Sequence, residues 1–358
     1  MTPMRELVRP LAAVLLLTTP GPVASEASPA ESLPPESRQF DFWIGEWDVN
    51  LRIRGEDGTW PDASVAAVAR IYPVLGGKAV LELWDSEPIV GFSLRWFDPE
   101  ADRWRLWLNW PRPNRSGGSG LEGRFHHGRG EFFGRRPGED GGEVISRYTF
   151  SDITATSLRW DDAYSRDGGE TWSHRWIMEF TRRGGEPSLP AGGGEAHTFG
   201  DGRRCDSPAF RRFEVLAGSR QGTVSRRDAD GGWTEGPARL TGWRVLGGCA
   251  VLAHIERHGG AGPRESLHLL TWNTRAERFE EDRLDDRPGT PLEVYYGPEG
   301  VASDAGGTIE LRRHRPDGEA KTAVRRLWSL EGRTVELAVE RSRDGGAWES
   351  VERARFSG

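Results

Sequence analysis

Apolar and polar residues alternate with a period of two along most of this sequence. The clearest run carries on one face Trp172, His174, Trp176, Met178 and Phe180. Residues 103–110 and 144–150 alternate in the same way. Because successive side chains of a strand point to opposite faces, each run predicts a half-buried β-strand. Patterns with the 3.6-residue period of a helix are scarce.

Turn sequences rich in glycine, aspartate and proline separate these runs about every 8 to 14 residues, as at Glu56-Asp57-Gly58 and Asp98-Pro99. Glycine at such points allows the positive φ of a tight hairpin. Many short, evenly spaced strands predict an all-β fold, either a closed barrel or a sandwich. Closure would also leave no exposed strand edge.

Three landmarks recur in the same order along the chain. Residues 73–81 (PVLGGKAVL) and 244–252 (RVLGGCAVL) share seven identities, and 97–104 matches 272–279 in its two aromatic residues and the turn between them. The hairpin sequence SRDGG at 165–169 returns at 342–346. The offsets drift slowly, from 171 to 175 to 177 residues, as small loop insertions would produce. The chain is therefore a domain duplication, with a period far too long for a solenoid.

The repeat sets the predicted boundaries. We expect a signal peptide at 1–27, a disordered leader at 28–37, copy one at 38–182, a Gly- and Pro-rich linker at 183–207 and copy two at 208–358. Each copy is long enough, and contains enough turn sequences, to form eight to ten strands. The prediction is thus two tandem antiparallel β-barrels.

The first residues resemble an export signal. Arg5 and Arg9 precede an apolar stretch at 11–18, and small residues follow at 24–27. The stretch is short for a membrane span, although a retained anchor is the alternative, and no later segment predicts a transmembrane helix. We therefore expect a periplasmic or secreted protein. In an oxidising compartment Cys205 and Cys249 could form a disulfide, but the sequence does not show that they meet.

Charge excludes one class of partner. The formal net charge is −7, and acidic and arginine residues are interspersed. Nucleic acid is therefore not an expected partner. No spacing of Cys or His suits zinc, so no metal site is predicted. The oligomeric state is left open.

The opening of copy one contains Gly45 and Trp47 in the sequence FWIGEW. This Gly-x-Trp resembles the start of calycin barrels, the group of lipocalins and fatty-acid-binding proteins. Together with the Leu-Gly-Gly strand, the aromatic-Asp-Pro turn and the SRDGG hairpin, it is similar to a calycin-like bacterial domain family of unknown function. The resemblance implies barrels of the kind that hold small hydrophobic molecules. Copy two departs from it, because Arg220 stands where copy one has Trp47.

One hairpin fits the Asp-box pattern through Ser165, Asp167, Gly169 and Trp172. In such a box, Ser and Asp side chains bond the turn and Trp packs beneath it, so we assign it a structural role. A sialidase-like propeller is the alternative, but it would need such a hairpin in most blades. Only two occur in this chain.

Five residues form the predicted ligand site of copy one: His174, Trp176, Tyr148, Trp104 and Glu82. Alternation places His174 on the apolar face, where it could ligate haem or act as an acid or base. The alternative is a buried, hydrogen-bonded core histidine. Its position near the end of the last strand resembles that of the iron-binding histidine of haem-binding calycin barrels, the nitrobindins. Glu82 is either a carboxylate inside the barrel with a raised pKa or an exposed one.

Eleven of the sixteen tryptophans fall in copy one. Aromatic walls suit flat apolar ligands. The leading hypothesis is an exported, non-catalytic binding protein that holds a small apolar or aromatic molecule in the first barrel. The alternatives are an isomerase or hydrolase that uses His174 with a carboxylate such as Glu82, and haem binding through His174. No cofactor other than haem is suggested.

Overall fold

The computed structural model describes residues 33–87, 89–112, 119–138, 141–196, 205–258, 264–287, 289–300, 307–313 and 322–358. The expected signal peptide and residues 28–32 of the expected leader lie outside these ranges, as do residues 197–204 of the linker. No helix within the described ranges is both long and apolar enough to cross a membrane.

Ten antiparallel strands form a first closed barrel in which each strand pairs with its neighbours in sequence and β1 pairs with β10. The strands are β1 Gly45–Ile53, β2 Val65–Val74, β3 Ala79–Ser86, β4 Val90–Asp98, β5 Arg103–Arg112, β6 Ser119–His126, β7 Arg129–Pro137, β8 Glu143–Ser151, β9 Ser157–Ser165 and β10 Ser173–Gly184.

The second barrel repeats this order with β12 to β21, and β12 pairs with β21. Its strands are β12 Gly218–Arg227, β13 Trp233–Val245, β14 Ala250–Arg257, β15 Glu265–Asn273, β16 Arg278–Asp285, β17 Glu293–Tyr296, β18 Thr308–Arg313, β19 Thr322–Glu331, β20 Thr334–Arg343 and β21 Glu349–Ser357. A short strand before it, β11 Gly194–Glu195, pairs in parallel with β13, and helix α1 spans Pro208–Arg211. The predicted fold class, two tandem antiparallel barrels, is confirmed.

One end of the first barrel is plugged by the segment that precedes β1. Two 3-10 helices, Pro35–Arg38 and Asp41–Trp43, carry Phe40 into the barrel, where its ring lies 4.7 Å from that of Trp104. Phe40 is completely buried. The expected disordered leader is therefore wrong for residues 35–37, because an aromatic anchor downstream holds them against the barrel.

The Gly-x-Trp opening and an arginine of β10 fasten the plug to the barrel, an arrangement that we call the strap. The Trp47 indole N–H donates to the Trp43 carbonyl at 2.8 Å, and the Arg182 guanidinium, from β10, lies 4.1 Å over the Trp47 ring. Arg182 also donates to the carbonyls of Phe42 and Ile44 at 2.6 and 2.9 Å. Gly45 has φ +146° and a Cβ there would clash with Arg182. The strap therefore requires both glycine and arginine.

The second barrel builds the same strap from a different strand. Arg220, at the position of Trp47, donates to the carbonyls of Val215, Leu216 and Ala217 in the 3-10 helix Arg212–Leu216 and the residue after it. Register places Gly358 where the first barrel has Arg182, since Phe356 pairs with Gly222 as Phe180 pairs with Val49. In the second barrel the arginine is thus supplied by the first strand, whereas in the first barrel it is supplied by the last strand. It binds the equivalent carbonyls in both.

The Leu-Gly-Gly turn after β2 and β13 explains the strongest sequence match between the copies. Its three residues have positive φ in both barrels, from 53° at Leu75 to 85° at Gly248. Glycine adopts this conformation without steric cost. The next residue differs: Cys249 forms a disulfide with Cys205 (Cα–Cα 4.8 Å), and Lys78 donates to the Asp286 carbonyl of the second barrel at 2.8 Å.

The barrels pack through the outer faces of equivalent strands. Leu81, Leu83 and Phe92 of β3 and β4 join one hydrophobic cluster with side chains of the second barrel. At its edge the Asn109 amide donates to the Asp282 carboxylate at 2.9 Å. Burial raises the pKa of Asp282 to about 7, although the Asn109 bond opposes the shift.

Each strap should contribute to stability in its own barrel. Arg182→Met and Arg220→Met each leave two or three backbone carbonyls without their charged donor, so each should lower the free energy of unfolding by about 2–4 kcal/mol in urea titrations. Arg183→Met is the matched control, because that side chain is 52% exposed. An effect no larger than the control's would contradict the strap.

The barrel interface should weaken as pH rises. The pKa of Asp282 lies above the ordinary value of 3.8, so its contribution is complete below pH 3.8 and is lost as pH rises through about 7. At about 1.4 kcal/mol per pKa unit, the loss is on the order of 4 kcal/mol.

Asp282→Asn keeps the bond to Asn109 without a charge, and should therefore unfold at a higher temperature than the wild type at pH 8. The difference should vanish near pH 4. Asp48→Asn, at a side chain 62% exposed, is the control. A pH-independent difference for Asp282→Asn would refute the interface account.

Candidate functional site

Four of the five residues predicted to line a ligand site point into the first barrel, but at different levels. Trp104 lies at the plugged end, where its indole donates to the Gln39 side chain at 3.0 Å. Glu82 and Tyr148 lie near the middle, both buried. Trp176 lies near the end opposite the plug, which we call the far end. Trp104 therefore does not share a site with Trp176.

His174 lies outside the barrel, so its predicted place on the inner face is wrong. The register between β9 and β10 shifts between His174 and Trp176, which leaves Arg175 as a β-bulge. The extra residue reverses the alternation, so the guanidinium of Arg175 bonds the inward Asp162 at 2.6 Å. The His174 side chain is 47% exposed and its Nδ1 lies 2.6 Å from Asp161.

This bulge separates the two residues of the enzyme hypothesis. Glu82 faces the interior and His174 faces outward, so they lie on opposite sides of the barrel wall. An acid and a base that act together must both reach the same bound substrate. The pair therefore offers no catalytic constellation.

Side-chain hydrogen bonds stabilise the turn of the Asp-box hairpin. The Ser165 hydroxyl accepts from the Gly169 N–H at 2.9 Å, and the Trp172 indole donates to the Gly169 carbonyl at 3.0 Å. Arg147 lies 4.1 Å over the Trp172 ring, as Arg325 lies 4.3 Å over Trp348 in the second barrel. Hydrogen bonds to Ser165 and Thr171 lower the pKa of Asp167. Both copies use the box to fasten a hairpin to the outer barrel wall.

Four tryptophans meet inside the far end of the first barrel. The Trp176 ring lies 5.2 Å from Trp110, 5.9 Å from Trp84 and 6.0 Å from Trp160. Gly91 makes room for this group, because a Cβ there would lie 2.2 Å from the Trp110 ring. We call this set the tryptophan cluster.

Three buried polar atoms in or beside the tryptophan cluster have no hydrogen-bond partner among the described residues. They are the indole nitrogens of Trp84 and Trp176 and Oδ1 of Asp162. Asp162 pairs directly with Trp176 across the strands and is only 1% exposed. Burial raises its pKa to about 6, against the attraction of Arg175. Two donors and one acceptor are thus held in an aromatic, water-poor environment, where an unmade hydrogen bond is costly.

A buried ion pair occupies the middle of the first barrel. Glu82 accepts from the Ser93 hydroxyl at 2.7 Å and lies 3.5 Å from Arg95, whose guanidinium stacks 3.8 Å over Trp43. Burial raises the pKa of Glu82, while Arg95 and Ser93 lower it. The expected internal carboxylate is present, but it is held by protein groups.

The second barrel has a charged interior that the sequence analysis missed. On β16 the inward residues are Phe279, Glu281, Arg283 and Asp285, at the positions where β5 carries Trp104, Leu106, Leu108 and Trp110. All four of the β16 residues are buried. The sequence carries no clear signal for it, because Glu280 and Asp282 make the other face of the strand charged as well.

Near the middle of the second barrel, Ser266, His268 and Glu281 form a hydrogen-bonded chain. His268 Nε2 lies 2.9 Å from the Ser266 hydroxyl, and Nδ1 lies 2.7 Å from Glu281. Arg326 and Trp328 also donate to Glu281, both at 3.0 Å. Burial lowers the pKa of His268 to about 4, and Arg326 lowers that of Glu281 to about 2 although burial opposes it.

The order of this chain is that of a nucleophile, a base and an orienting acid. However, a histidine that protonates only near pH 4 is a weak base at neutral pH. Arg326 also neutralises the carboxylate that would stabilise its charged form. We therefore assign a structural role to this hydrogen-bonded set of side chains. Among the described residues, no three His, Cys, Asp or Glu side chains are grouped to hold a metal ion.

Comparisons with known proteins add little to this geometry. No model of a known protein family matches the chain, and no curated protein matches it. Rv2717c from M. tuberculosis is 16% identical with a TM-score of 0.32, over 42% of this chain and 97% of that one. A protein of unknown function from the DUF3598 family of Nostoc punctiforme PCC 73102 is 11% identical with a TM-score of 0.25, over 91% and 99%. The fold assignment rests on strand order and register.

Acid should destabilise the second barrel through His268. Its pKa lies below the ordinary 6.5, so the unfolded chain takes up a proton between pH 6.5 and about 4 that the folded chain excludes. Stability should fall by up to about 3 kcal/mol across that window. His268→Gln should show a smaller loss in urea titrations at pH 7, 5.5 and 4.5. Exposed His126→Gln is the control, and an unchanged pH dependence in His268→Gln would disprove the assignment.

Proposed function

We propose that this chain is a binding protein that holds a small apolar or aromatic molecule at the far end of its first barrel. The observation that carries the proposal is the set of unpartnered polar atoms of Trp84, Trp176 and Asp162 beside the tryptophan cluster. Small-molecule sites combine mainly apolar walls with a few polar groups that fix orientation. This end of the barrel has that composition.

The polar atoms define what the molecule must carry. The indole nitrogens of Trp84 and Trp176 donate, so they call for an acceptor on the ligand. Asp162 Oδ1 accepts, so it calls for a donor. A planar molecule with one hydroxyl or amide group meets both needs, while its ring packs against tryptophan faces. The rings must move apart to admit it, because they now contact one another.

The structure offers less support to the alternatives. The catalytic pairing of His174 with Glu82 is disfavoured by the barrel wall between them. Haem ligation would have to take place on the outer surface, where His174 is bonded to Asp161. Neither alternative accounts for the unpartnered atoms inside the first barrel.

We also infer that the protein works outside the cytoplasm. The disulfide between Cys205 and Cys249 supports this, because disulfides persist in oxidising compartments. The charged and apolar pattern of the first residues supports it as well. Sequencing the N-terminus of the mature protein from its own host would test it, with cleavage expected after residue 27 or close to it.

The binding proposal is tested by calorimetric titration with 2-naphthol, an uncharged planar molecule whose hydroxyl both donates and accepts. Trp176→Phe keeps an aromatic ring but removes one N–H, and should weaken binding about fivefold, the effect of one hydrogen bond. Trp172→Phe changes a tryptophan on the outer wall and should bind like the wild type. Equal affinities for the two variants would contradict the proposed site.

A further inference from the structure

We propose that the far end of the second barrel is a separate binding site for a small molecule with an anionic oxygen head group, a carboxylate or a phosphate. The guanidinium groups of Arg257 and Arg283 would hold that head group. This end lies where β14 finishes and β15 begins, away from the strap of Arg220. The site is independent of the one in the first barrel.

Arg257 is the central observation. Its side chain is only 8% exposed, and its nearest carboxylate oxygen, on Glu352, is 3.6 Å away. Its side chain donates no hydrogen bond to a described residue, and its Nε is buried. A guanidinium has five N–H donors, so the described residues leave it under-bonded. Buried arginines are ordinarily paired at close range.

Arg283 presents a second unpartnered donor at the same end. Its two Nη atoms bind Glu293 at 2.8 Å and Asp285 at 3.2 Å, but its Nε has no partner in the part of the chain that the structure describes. Burial lowers the pKa of Arg257 to about 10, and the like charges of Arg226 and Arg283 act in the same direction against the attraction of Glu352. An anion placed between them would relieve that repulsion.

The charge balance in the middle and far end of the second barrel also favours an anion. Among the described inward side chains there that are at least three-quarters buried, five guanidinium groups face four carboxylates, with His268 neutral. The guanidiniums are those of Arg226, Arg257, Arg283, Arg313 and Arg326, and the carboxylates those of Glu281, Asp285, Glu293 and Glu352. One negative charge would complete the set. A guanidinium fork matches the oxygen geometry of carboxylate and phosphate.

The first barrel shows that these charges are not needed for closure. By the register of the repeat, Arg257 corresponds to Ser86, Arg283 to Leu108 and Asp285 to Trp110. That barrel closes with ten strands although it carries no charged side chain at any of these three positions. Buried ion pairs are often no more stabilising than apolar residues of similar volume, so their presence in one copy only points to a ligand.

The experiment uses the full-length protein at constant ionic strength, because screening alters the affinity of any anion. Sodium benzoate and inorganic phosphate are titrated calorimetrically into the wild type, Arg257→Met and Arg353→Met. Arg353 is the matched control, since it neighbours Glu352 but is exposed on the outer wall. We expect one of the anions to bind, Arg257→Met to weaken it tenfold or more, and Arg353→Met to leave it unchanged.

Thermal unfolding without added anion separates a ligand role from a structural one. If Arg257 serves the anion, Arg257→Met should unfold at the same temperature as the wild type or higher, since it removes an under-bonded buried charge. If it serves only as an ion pair for Glu352, the variant should unfold at a lower temperature, and the proposal fails.

A crystal soaked with 4-bromobenzoate supplies a test that needs no variant, provided benzoate is the anion that binds. The carboxylate should lie within hydrogen-bond distance of Arg257, with the bromine located by its anomalous signal. Binding of phosphate alone, lost in Arg257→Met, would assign the head group as phosphate. No binding of either anion, or binding unaffected by Arg257→Met, would overturn the proposal.

Discussion

A closed barrel removes from water every side chain that its strands point inward, and each buried polar atom then needs a partner. The two barrels of this chain meet that constraint in opposite ways. The first fills its interior mainly with aromatic and aliphatic groups, around the ion pairs of Glu82 with Arg95 and of Asp162 with Arg175. The second uses linked ion pairs along β16 and β19. Several buried polar atoms find no partner among the described residues, and both proposals arise from those that lie at the far ends.

The plugged ends show how little of the sequence such a scaffold needs to retain. Both barrels place a guanidinium under the backbone carbonyls that precede the first strand, from Arg182 in one and Arg220 in the other. The interaction is kept while the residue that supplies it moves to the neighbouring strand. Arg220, which stands where the first barrel has Trp47, thus keeps the plugged end of the second barrel fastened.

Much of the fold could be predicted from the sequence because a strand's period of two is a local property. The repeat, the strand number and the Asp-box turn all follow from neighbouring residues. The strap of Arg220 could not be predicted, since it depends on Gly358 lying opposite, across the barrel. The orientation of His174 could not be predicted for a related reason: one bulged residue, Arg175, reverses the side chains that precede it relative to those that follow, and alternation alone does not reveal a bulge.

The candidate site was predicted less well than the fold. The count of tryptophans pointed to the first barrel and left the second as a structural partner, because aromatic residues are conspicuous and a charged inner face resembles an exposed one. Glu281 and Arg283 are separated by Asp282, so both faces of the strand are charged and no alternation marks the inner one. The inner face is identified only by the bonds that Glu281 makes to His268 and Arg326 in the structure. The comparison of equivalent positions in the two copies would have drawn attention to them, since Leu106 and Leu108 stand there in copy one.

The central claim is that unpartnered polar atoms at the far ends of the barrels mark ligand sites. A high-resolution crystal structure of the protein purified from its own host tests it most directly. The account predicts density for a bound molecule within hydrogen-bond distance of the Trp176 indole nitrogen and Asp162 Oδ1. A structure in which those two atoms bond to neighbouring protein groups, with the tryptophan cluster closed over them, would contradict it.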